Sequence, residues 1–248
     1  MIKTKVKNKL HAYEIGLEIT RNCNLNCSHC LRGNTQNKTM SKEVIHEVFN
    51  KVDTITNIFF SGGEPLLAID VIEEIIKEIK RRDIEINGFG MVTNGTVFND
   101  KIHDVLFELY ELSIDKNSCI VEISNDVFHN DSIYNFPNCE DMLRNKRKLE
   151  TLVFVNKRQY IDYSNYHLLK EGRCKEGHVI TKPQITLDKF KDGTIEVFND
   201  FYVNIYGDLI SSCSIAYDRQ KEFKFASIFD DKEKIMSELT ELYLTQGL

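Results

Sequence analysis

Short apolar segments alternate, over residues 1–156, with longer stretches whose apolar residues recur at helical spacing. The short segments, typical of strands, cover residues 13–20, 58–60, 89–92, 119–123 and 152–155. The helical stretches lie at residues 44–52, 71–79, 102–109 and 140–148. Strands that alternate with helices at this spacing indicate βα units and a parallel sheet. We therefore predict an α/β fold: a partial (βα) TIM-like barrel, shortened after its fifth strand.

Two of the predicted helices begin at residues that commonly cap helices. Ser41 precedes the first stripe and is expected to be its N-cap. Asp70, with Glu73 three residues later, has the spacing of a capping box before the second stripe.

The pattern changes after residue 156, where β-hairpin signals replace the βα rhythm. Residues 184–187 and 195–198 flank an Asp-Gly turn, and residues 202–205 and 209–212 flank a Gly-Asp turn. A last helix is expected from about Asp231. We predict two units: a partial barrel at residues 1–176, and a β-hairpin-rich extension with a terminal helix at residues 177–248.

Composition limits the class of protein. The 248 residues are 42% hydrophobic and 28% charged, as in ordinary soluble domains. No apolar run approaches the ~18 residues that a membrane span needs, and no secretory signal follows Met1. A cytoplasmic protein without membrane contact is expected. The net charge of −6 argues against a nucleic-acid partner, which usually contacts a basic face.

Three of the seven cysteines lie within eight residues, directly after the first predicted strand. The odd count and the tight spacing of Cys23, Cys27 and Cys30 favour metal chemistry over disulfides. Three thiolates are one short of the usual four ligands of an iron–sulfur cluster, which leaves one iron for a reacting ligand. A zinc site completed by His29 or a distant cysteine, or a set of buried thiols, are the alternatives.

Polar motifs also follow the other predicted strands. Gly62-Gly63-Glu64-Pro65 follows the second strand, Thr93-Asn94-Gly95 the third, Ser124 and Asp126 the fourth, and Asn156 ends the fifth. In a βα barrel the carboxyl ends of the strands form one rim, where active sites lie. The sequence therefore predicts a functional site on this rim.

The combination of motifs resembles the radical S-adenosylmethionine (SAM) superfamily over residues 13–156. C-x3-C-x2-C follows the first strand, Gly-Gly-Glu-Pro the second and Thr-Asn-Gly the third, and Phe128-His129 comes after Ser124-x-Asp126. The resemblance implies a barrel of the radical SAM type, a [4Fe–4S] cluster and bound SAM. It also implies reductive cleavage of SAM to a 5′-deoxyadenosyl radical, which abstracts a hydrogen atom from a substrate.

The resemblance also implies residue roles. Cys23, Cys27 and Cys30 would hold the cluster. Gly62 and Gly63 would let the backbone approach the methionine end of SAM, Glu64 would receive its ammonium group directly or through neighbours, and His29 would lie beside the adenine. The other implied SAM-binding residues are Ser61, Thr93, Asn94, Ser124, Asp126 and Asn156. A plain turn remains an alternative for residues 93–95, and helix capping for Ser124 and Asp126.

The predicted extension resembles the twitch or SPASM extension of peptide-modifying members. Gly172-Arg173-Cys174 resembles their Gly-Arg-Ala, and Cys213 follows the second hairpin. No C-x2-C follows Cys213, so we expect no auxiliary cluster. We hypothesise that Cys213 or Cys174 donates a hydrogen atom to a substrate radical, as a peptide epimerase requires; buried structural thiols are the alternative.

The resemblance favours a ribosomally made peptide as substrate and a flavodoxin or ferredoxin as electron donor. Three alternatives remain open. The chain could act on a small purine- or pterin-like molecule, it could activate a glycyl-radical enzyme, or it could be a non-catalytic regulator that binds an iron–sulfur cluster or zinc.

Overall fold

The computed structural model describes residues 8–125, 129, 138–159, 171–174, 185–199 and 201–245. Asp126, Phe128 and the predicted boundary at residues 176 and 177 lie outside these residues. The strands are β1 (Leu10–Thr20), β2 (Thr54–Gly62), β3 (Gly88–Thr93), β4 (Ile120–Asn125), β5 (Val155–Gln159), β6 (Leu187–Lys189), β7 (Ile195–Val197), β8 (Phe201–Val203), β9 (Asp208–Ile210) and β10 (Lys224–Ser227). The helices are α1 (Lys42–Lys51), α2 (Ile69–Arg82), α3 (Asp100–Leu112), α4 (Cys139–Leu149) and α5 (Lys232–Thr245).

One ten-stranded sheet contains every described strand. Its main path runs β10-β9-β8-β1-β2-β3-β4-β5, and β6 pairs with β7, which pairs with β1. Strands β1 to β5 are parallel neighbours in chain order, which confirms the predicted βα units. Among the described strands the sheet does not close, because β5 and β10 each form an edge of that path.

The C-terminal hairpins extend the barrel sheet along the free edge of β1. Hairpins β6–β7 and β8–β9 are antiparallel, as the turn signals predicted. Strand β7 pairs in parallel with residues 10–12 of β1, and β8 pairs in parallel with residues 15–17. The division into two units stays a prediction, and the described parts of both share one sheet.

The core lies between the sheet and helices α1 to α3. Ile15, Ile58, Phe89 and Val121 come from consecutive strands and are fully buried or nearly so. The apolar stripe of α2, which includes Ile72, packs into the same cluster. Burial of one such aliphatic side chain stabilises the fold by about 1.5–3 kcal/mol. None of the described helices has the length and apolar character to cross a membrane.

One of the two predicted helix caps is present in the structure, and the other is not. Ser41 caps α1 and accepts a hydrogen bond from the Val44 N–H at 3.3 Å, as predicted. The predicted capping box at Asp70 and Glu73 is wrong, because the 3-10 turn at Pro65–Ala68 continues directly into α2 and places Asp70 inside its first turn.

The fifth strand begins later than predicted. The apolar residues 152–154 do not form a strand, because they belong to the turns that follow α4, where the Leu152 N–H donates to the Leu149 carbonyl and the Val155 N–H to the Leu152 carbonyl. Strand β5 therefore starts at Val155 and places Asn156 near its beginning. Asn156 lies opposite Glu122, two positions before Ser124, and it is exposed. It is not at the rim where the sequence placed it.

Candidate functional site

The cysteine loop begins just after β1 and packs against α4. Cys27 is buried with Leu25 and Met142, while Cys23 and Cys30 are half-buried at the border of this apolar group. Cys139, at the start of α4, borders the same group, a proximity that the sequence did not reveal.

Two N–H groups approach the sulfur of Cys23. The backbone N–H of Leu25 donates to it at 3.5 Å, and the side-chain amide of Asn94 lies 4.0 Å away. Burial raises the pKa of the Cys23 thiol to about 11, and the nearby Glu64, Cys30 and Cys27 add to the rise. A bound metal reverses this effect because it binds the deprotonated thiol.

The three thiols border one apolar group and are a donor set that an iron–sulfur cluster can use. Among the described side chains, no three His, Cys, Asp or Glu residues converge on one metal ion. A [4Fe–4S] cluster does not need such convergence, because its thiolates bind different iron atoms. The N–H groups near Cys23 are the kind of outer contacts that orient metal ligands.

Residues 172–173 hold the cysteine loop from the other side. The backbone N–H of Arg173 donates to the Cys30 carbonyl at 2.9 Å, and its side-chain Nε donates to the Cys27 carbonyl at 2.9 Å. Gly172 has a positive φ of 58°, and a Cβ at this residue would lie 2.4 Å from the Leu31 carbonyl oxygen. The Gly-Arg pair is therefore a clamp on the loop that carries the thiols.

The Gly62-Gly63-Glu64 turn is seated against the start of the cysteine loop. The Gly63 N–H donates to the Thr20 carbonyl at 2.9 Å, and the Glu64 N–H donates to the Asn22 carbonyl at 2.8 Å. Gly62 has a φ of 143°, and a Cβ there would lie 2.0 Å from the Thr20 oxygen. Both glycines thus permit a close approach between two segments of this chain.

Glu64 links the turns that follow β2 and β3. Its buried carboxylate accepts hydrogen bonds from the Thr93 hydroxyl at 2.6 Å, the Asn94 N–H at 2.7 Å and the Leu66 N–H at 3.1 Å. Burial raises its pKa, and these three bonds oppose the rise. The carboxylate is thus engaged within the chain and orients the Thr93–Asn94 turn.

A side-chain network joins that turn to the cysteine loop. The Asn94 amide donates to the Asn24 oxygen at 3.1 Å, and the Asn24 amide donates to the Thr96 hydroxyl at 2.7 Å. The Thr96 hydroxyl donates in turn to the Asn94 oxygen at 2.6 Å. Asn24 and Thr96 were missed in the sequence, although both lie within or next to motifs that it revealed.

Comparison with known proteins identifies this arrangement. A sequence profile of the radical SAM superfamily matches residues 17–144, just over half of the chain. The chain belongs to the radical SAM superfamily. The matched region includes the cysteine loop and the turns after β2 and β3.

Curated relatives of this radical SAM chain include proteins of different kinds. YydG of Bacillus subtilis, a candidate peptide biosynthesis protein, is 26% identical over 187 residues, which cover 71% of this chain and 56% of YydG. A GTP 3′,8-cyclase of Lactiplantibacillus plantarum is 33% identical over 95 residues, which cover 36% of this chain and 28% of the cyclase. The chain therefore spans about half of YydG and about a quarter of the cyclase.

A solved structure has the same fold as this radical SAM chain. Native anSMEcpe with bound AdoMet and Cp18Cys peptide aligns with a TM-score of 0.57 at 15% identity, over 95% of this chain and 82% of anSMEcpe. At this identity the likeness concerns the fold alone. It extends over the C-terminal hairpins as well as the barrel.

A buried polar network that the sequence did not reveal lies beside the radical SAM motifs. Glu18 of β1 pairs with Arg21 at 2.6 Å and accepts a hydrogen bond from the Tyr202 hydroxyl at 3.3 Å. Gln220 donates to Glu18 and accepts from Arg21. Gly16 leaves room for the Tyr202 ring, because a Cβ at residue 16 would lie 2.5 Å from its Cδ2 atom.

Arg32 connects this network to the end of β2 and to the extension. Its guanidinium donates to the Ser61 hydroxyl at 2.7 Å and to the Ile215 carbonyl at 3.1 Å, and it lies 5.1 Å from the centroid of the Tyr202 ring. The Ser61 and Tyr202 hydroxyls lie 3.2 Å apart, within hydrogen-bond distance. The hydroxyl of Ser61, which the resemblance assigned to SAM, is thus bound within the chain.

The other residues that the resemblance assigned to SAM have different surroundings. His29 stacks edge-on against His129, with ring centroids 5.2 Å apart. Ser124 is buried, and its carbonyl accepts from the Lys146 ammonium at 3.5 Å. Asp126 lies outside the described residues, and Asn156 lies away from the rim.

The two candidate hydrogen donors occupy different environments. Cys174 is buried at the end of the segment that clamps the cysteine loop. Cys213 is half-buried in the segment after β9, 3.8 Å from the Ser214 hydroxyl, and two residues before the carbonyl that Arg32 contacts. The structure thus brings Cys213 near the polar network.

Proposed function

We propose that this chain is a radical SAM enzyme that binds a [4Fe–4S] cluster through Cys23, Cys27 and Cys30, cleaves SAM reductively and removes a hydrogen atom from a peptide. One observation carries the proposal. The hydrogen bonds from Gly63 and Glu64 to the carbonyls of Thr20 and Asn22 seat the Gly-Gly-Glu turn directly against the cysteine loop of a radical SAM chain.

When bound, the cluster and SAM supply a 5′-deoxyadenosyl radical that removes the substrate hydrogen atom. The chain binds the parts and holds them in line. Glu64 orients the Thr93–Asn94 turn, and Arg173 fixes the carbonyls of Cys27 and Cys30. The half-buried position of Cys23 and Cys30 at the border of an apolar group limits the access of water to the site.

We assign SAM binding to the groups that surround the loop. The backbone at Gly62 and Gly63, the side chains of Thr93 and Asn94, and the ring of His29 border it or contact residues that do. Glu64 acts on SAM through the turn that it orients, because its oxygens already accept bonds from the chain. Ser124 and Asp126 remain candidates for the ribose or the carboxylate.

A peptide substrate is supported by two similarities. YydG aligns with most of this chain, and the fold of the peptide complex of anSMEcpe matches it across the hairpins. In this chain those hairpins lie along β1, next to the strand that leads into the cysteine loop. We propose a flavodoxin or ferredoxin as the electron donor.

Cys213 is the better candidate for a hydrogen donor in a peptide epimerisation. It is half-buried near Arg32, while Cys174 is buried and follows Arg173, which bonds the cysteine loop. In this step the S–H bond of Cys213 breaks, a C–H bond forms on the substrate radical, and a thiyl radical remains. One electron from the proposed donor protein and one proton restore the thiol.

A small-molecule substrate is the second candidate, supported by the similarity to a GTP 3′,8-cyclase. The cyclase alignment covers about a third of this chain, whereas the YydG alignment covers most of it. That difference favours the peptide.

Anaerobic reconstitution tests the common part of the proposal. The reconstituted and reduced chain is expected to form 5′-deoxyadenosine from SAM, and Cys23→Ala is expected to abolish it. Cys119→Ala is the matched control, because that thiol is buried next to β4, away from the loop. Four bound irons without cleavage would contradict the enzyme and support a regulator.

A further inference from the structure

A cleft of about 300 Å³ lies between the continuation of the cysteine loop and the C-terminal extension. Arg32 and Gln36 line one side, and Arg173, Tyr217 and Asp218 line the other. The backbone joins the two sides, because the Tyr217 N–H donates to the Arg32 carbonyl at 3.2 Å. No role described above uses this space.

The hydroxyl of Tyr217 has no hydrogen-bond partner although it is buried. Its side chain is 7% exposed, and no described residue lies within hydrogen-bond reach of the hydroxyl. A buried hydroxyl without a partner costs free energy, so its persistence points to a ligand that accepts from it. Burial raises the pKa of Tyr217 well above its usual value, so this hydroxyl is a donor.

Positive charge exceeds negative charge around this hydroxyl. The Arg21 guanidinium lies 4.5 Å from the centroid of the Tyr217 ring. Arg21 is paired with Glu18, whose carboxylate also accepts hydrogen bonds from Gln220 and Tyr202. Arg32 is buried, and its described bonds go to a hydroxyl and a carbonyl, neither of which carries charge.

The open side of the cleft adds a further guanidinium. Arg173 uses its Nε for the Cys27 carbonyl, and no described residue accepts from its terminal nitrogens. The acid on the lining, Asp218, is exposed to solvent. The lining as a whole therefore presents donors and net positive charge to a ligand.

We propose that this cleft binds the carboxylate of an acidic side chain of the peptide substrate. Guanidinium groups match the planar geometry of a carboxylate, and a phenol adds one more donor. The cleft lies at the small end of the range for ligand sites, about 300–1,000 Å³, which suits one acidic residue. This proposal rests on the proposed peptide substrate and makes it specific.

Calorimetric titration of the reconstituted chain with SAM present tests the proposal. The probes are N-acetyl-Glu-Glu-Glu-amide, the neutral N-acetyl-Gln-Gln-Gln-amide and GTP. We expect the acidic peptide to bind at least about tenfold more tightly than the neutral one, since charge-assisted hydrogen bonds are the stronger kind. Equal binding of the two peptides would overturn the carboxylate site, and tighter binding of GTP would overturn the peptide assignment.

Two variants separate ligand binding from damage to the fold. Tyr217→Phe removes a hydroxyl that bonds to no described residue, so we expect unchanged melting temperature and iron content and about tenfold weaker binding of the acidic peptide. Asp218→Asn removes a negative charge and is expected to strengthen that binding severalfold, which damage to the fold cannot do. Tyr243→Phe, exposed on α5, is the control.

Unchanged affinity of the acidic peptide in Tyr217→Phe would overturn the site. SAM cleavage is measured in the same preparations without any peptide. If cleavage persists while the acidic peptide fails to bind, the carboxylate site is wrong and the radical SAM activity stands. If cleavage is absent, the proposed function itself fails.

Discussion

The carboxylate of Glu64 accepts a hydrogen bond from the backbone N–H of Asn94 at 2.7 Å, so the turn after β2 fixes the turn after β3. The same carboxylate accepts from the Thr93 hydroxyl. Because Asn94 also approaches the sulfur of Cys23, the acid acts on the cysteine loop through one intermediate residue. Glu64 is thus linked to the cysteine loop through Asn94, although it makes no described hydrogen bond to a thiol.

Glu64→Gln is expected to destabilise the chain and to weaken SAM binding. The side chain of Gln has one acceptor oxygen and one NH2 group, so it cannot accept from the Thr93 hydroxyl and the Asn94 N–H at the same time. The free energy of unfolding should therefore fall by about 2 kcal/mol. Urea denaturation and SAM titration measure the two effects. Glu85→Gln, at an exposed residue before β3, is the control. Equal stability of both variants would show that having two acceptor oxygens at residue 64 contributes nothing to the free energy of unfolding.

Gly62→Ala is expected to prevent stable folding of the site. A Cβ at residue 62 would lie 2.0 Å from the Thr20 carbonyl oxygen, and the φ of 143° is strained for any side chain. We expect a loss of about 3 kcal/mol or more in the free energy of unfolding.

Gly90→Ala is the matched control for that variant. A Cβ there meets a Phe59 ring atom at 3.0 Å, and a side chain can move where backbone cannot. Its loss of stability should be clearly smaller. A Gly62→Ala chain as stable as Gly90→Ala would mean that the approach of the two loops is looser than the structure shows.

Glu78→Gln is expected to alter how stability depends on pH. Hydrogen bonds from Arg81 and Arg82 hold the pKa of this carboxyl at about 2, below its unfolded value of 4.5. A lowered pKa means that the stabilisation is present above pH 4.5 and is lost as the pH falls towards 2.

The stability difference between the parent chain and Glu78→Gln should therefore be larger at pH 7 than at pH 3. Because the three side chains are partly exposed to solvent, we expect a difference of at most about 1 kcal/mol at pH 7. Urea denaturation at the two pH values measures it. A difference that is larger at pH 3 would contradict the assigned direction of the pKa shift.

Local sequence patterns predicted the first four strands and first three helices of the barrel, but not the start of its fifth strand. The stripes of α1, α2 and α3 and the strands β1 to β4 depend on periodicity within a few residues, and the structure contains all of them. The apolar residues 152–154 have the composition of a strand, but local hydrogen bonds, from the Leu152 N–H to the Leu149 carbonyl and from the Val155 N–H to the Leu152 carbonyl, place them in the turns that follow α4. Asn156 was misplaced for the same reason.

The same distinction between local and long-range information separates the site residues that the sequence revealed from those that it did not. The cysteines and the turns after β2 and β3 were recognised because each motif is contiguous. The sequence did not reveal the polar network of Glu18, Arg32, Tyr202 and Gln220. Its association depends on the pairing of β8 with β1, two strands that lie far apart in the chain. In a strand that alternates polar and apolar residues, Glu18 is indistinguishable from a residue that faces solvent.

Cys213→Ala is expected to abolish transfer of a hydrogen atom to the substrate while SAM cleavage continues. The parent chain, acting on a peptide substrate in D₂O, should place deuterium on the product carbon, because the thiol hydrogen exchanges with solvent before the transfer. The variant should form 5′-deoxyadenosine without deuterated product, which mass spectrometry detects.

Cys174→Ala is the matched control, because Cys174 is buried and is not expected to reach the substrate. It should retain deuterium incorporation, with at most a modest loss of stability from the missing sulfur. If Cys174→Ala loses the deuterated product and Cys213→Ala retains it, the roles of the two cysteines are reversed. If both variants retain it, neither thiol is the donor, and the reaction is not an epimerisation that depends on these residues.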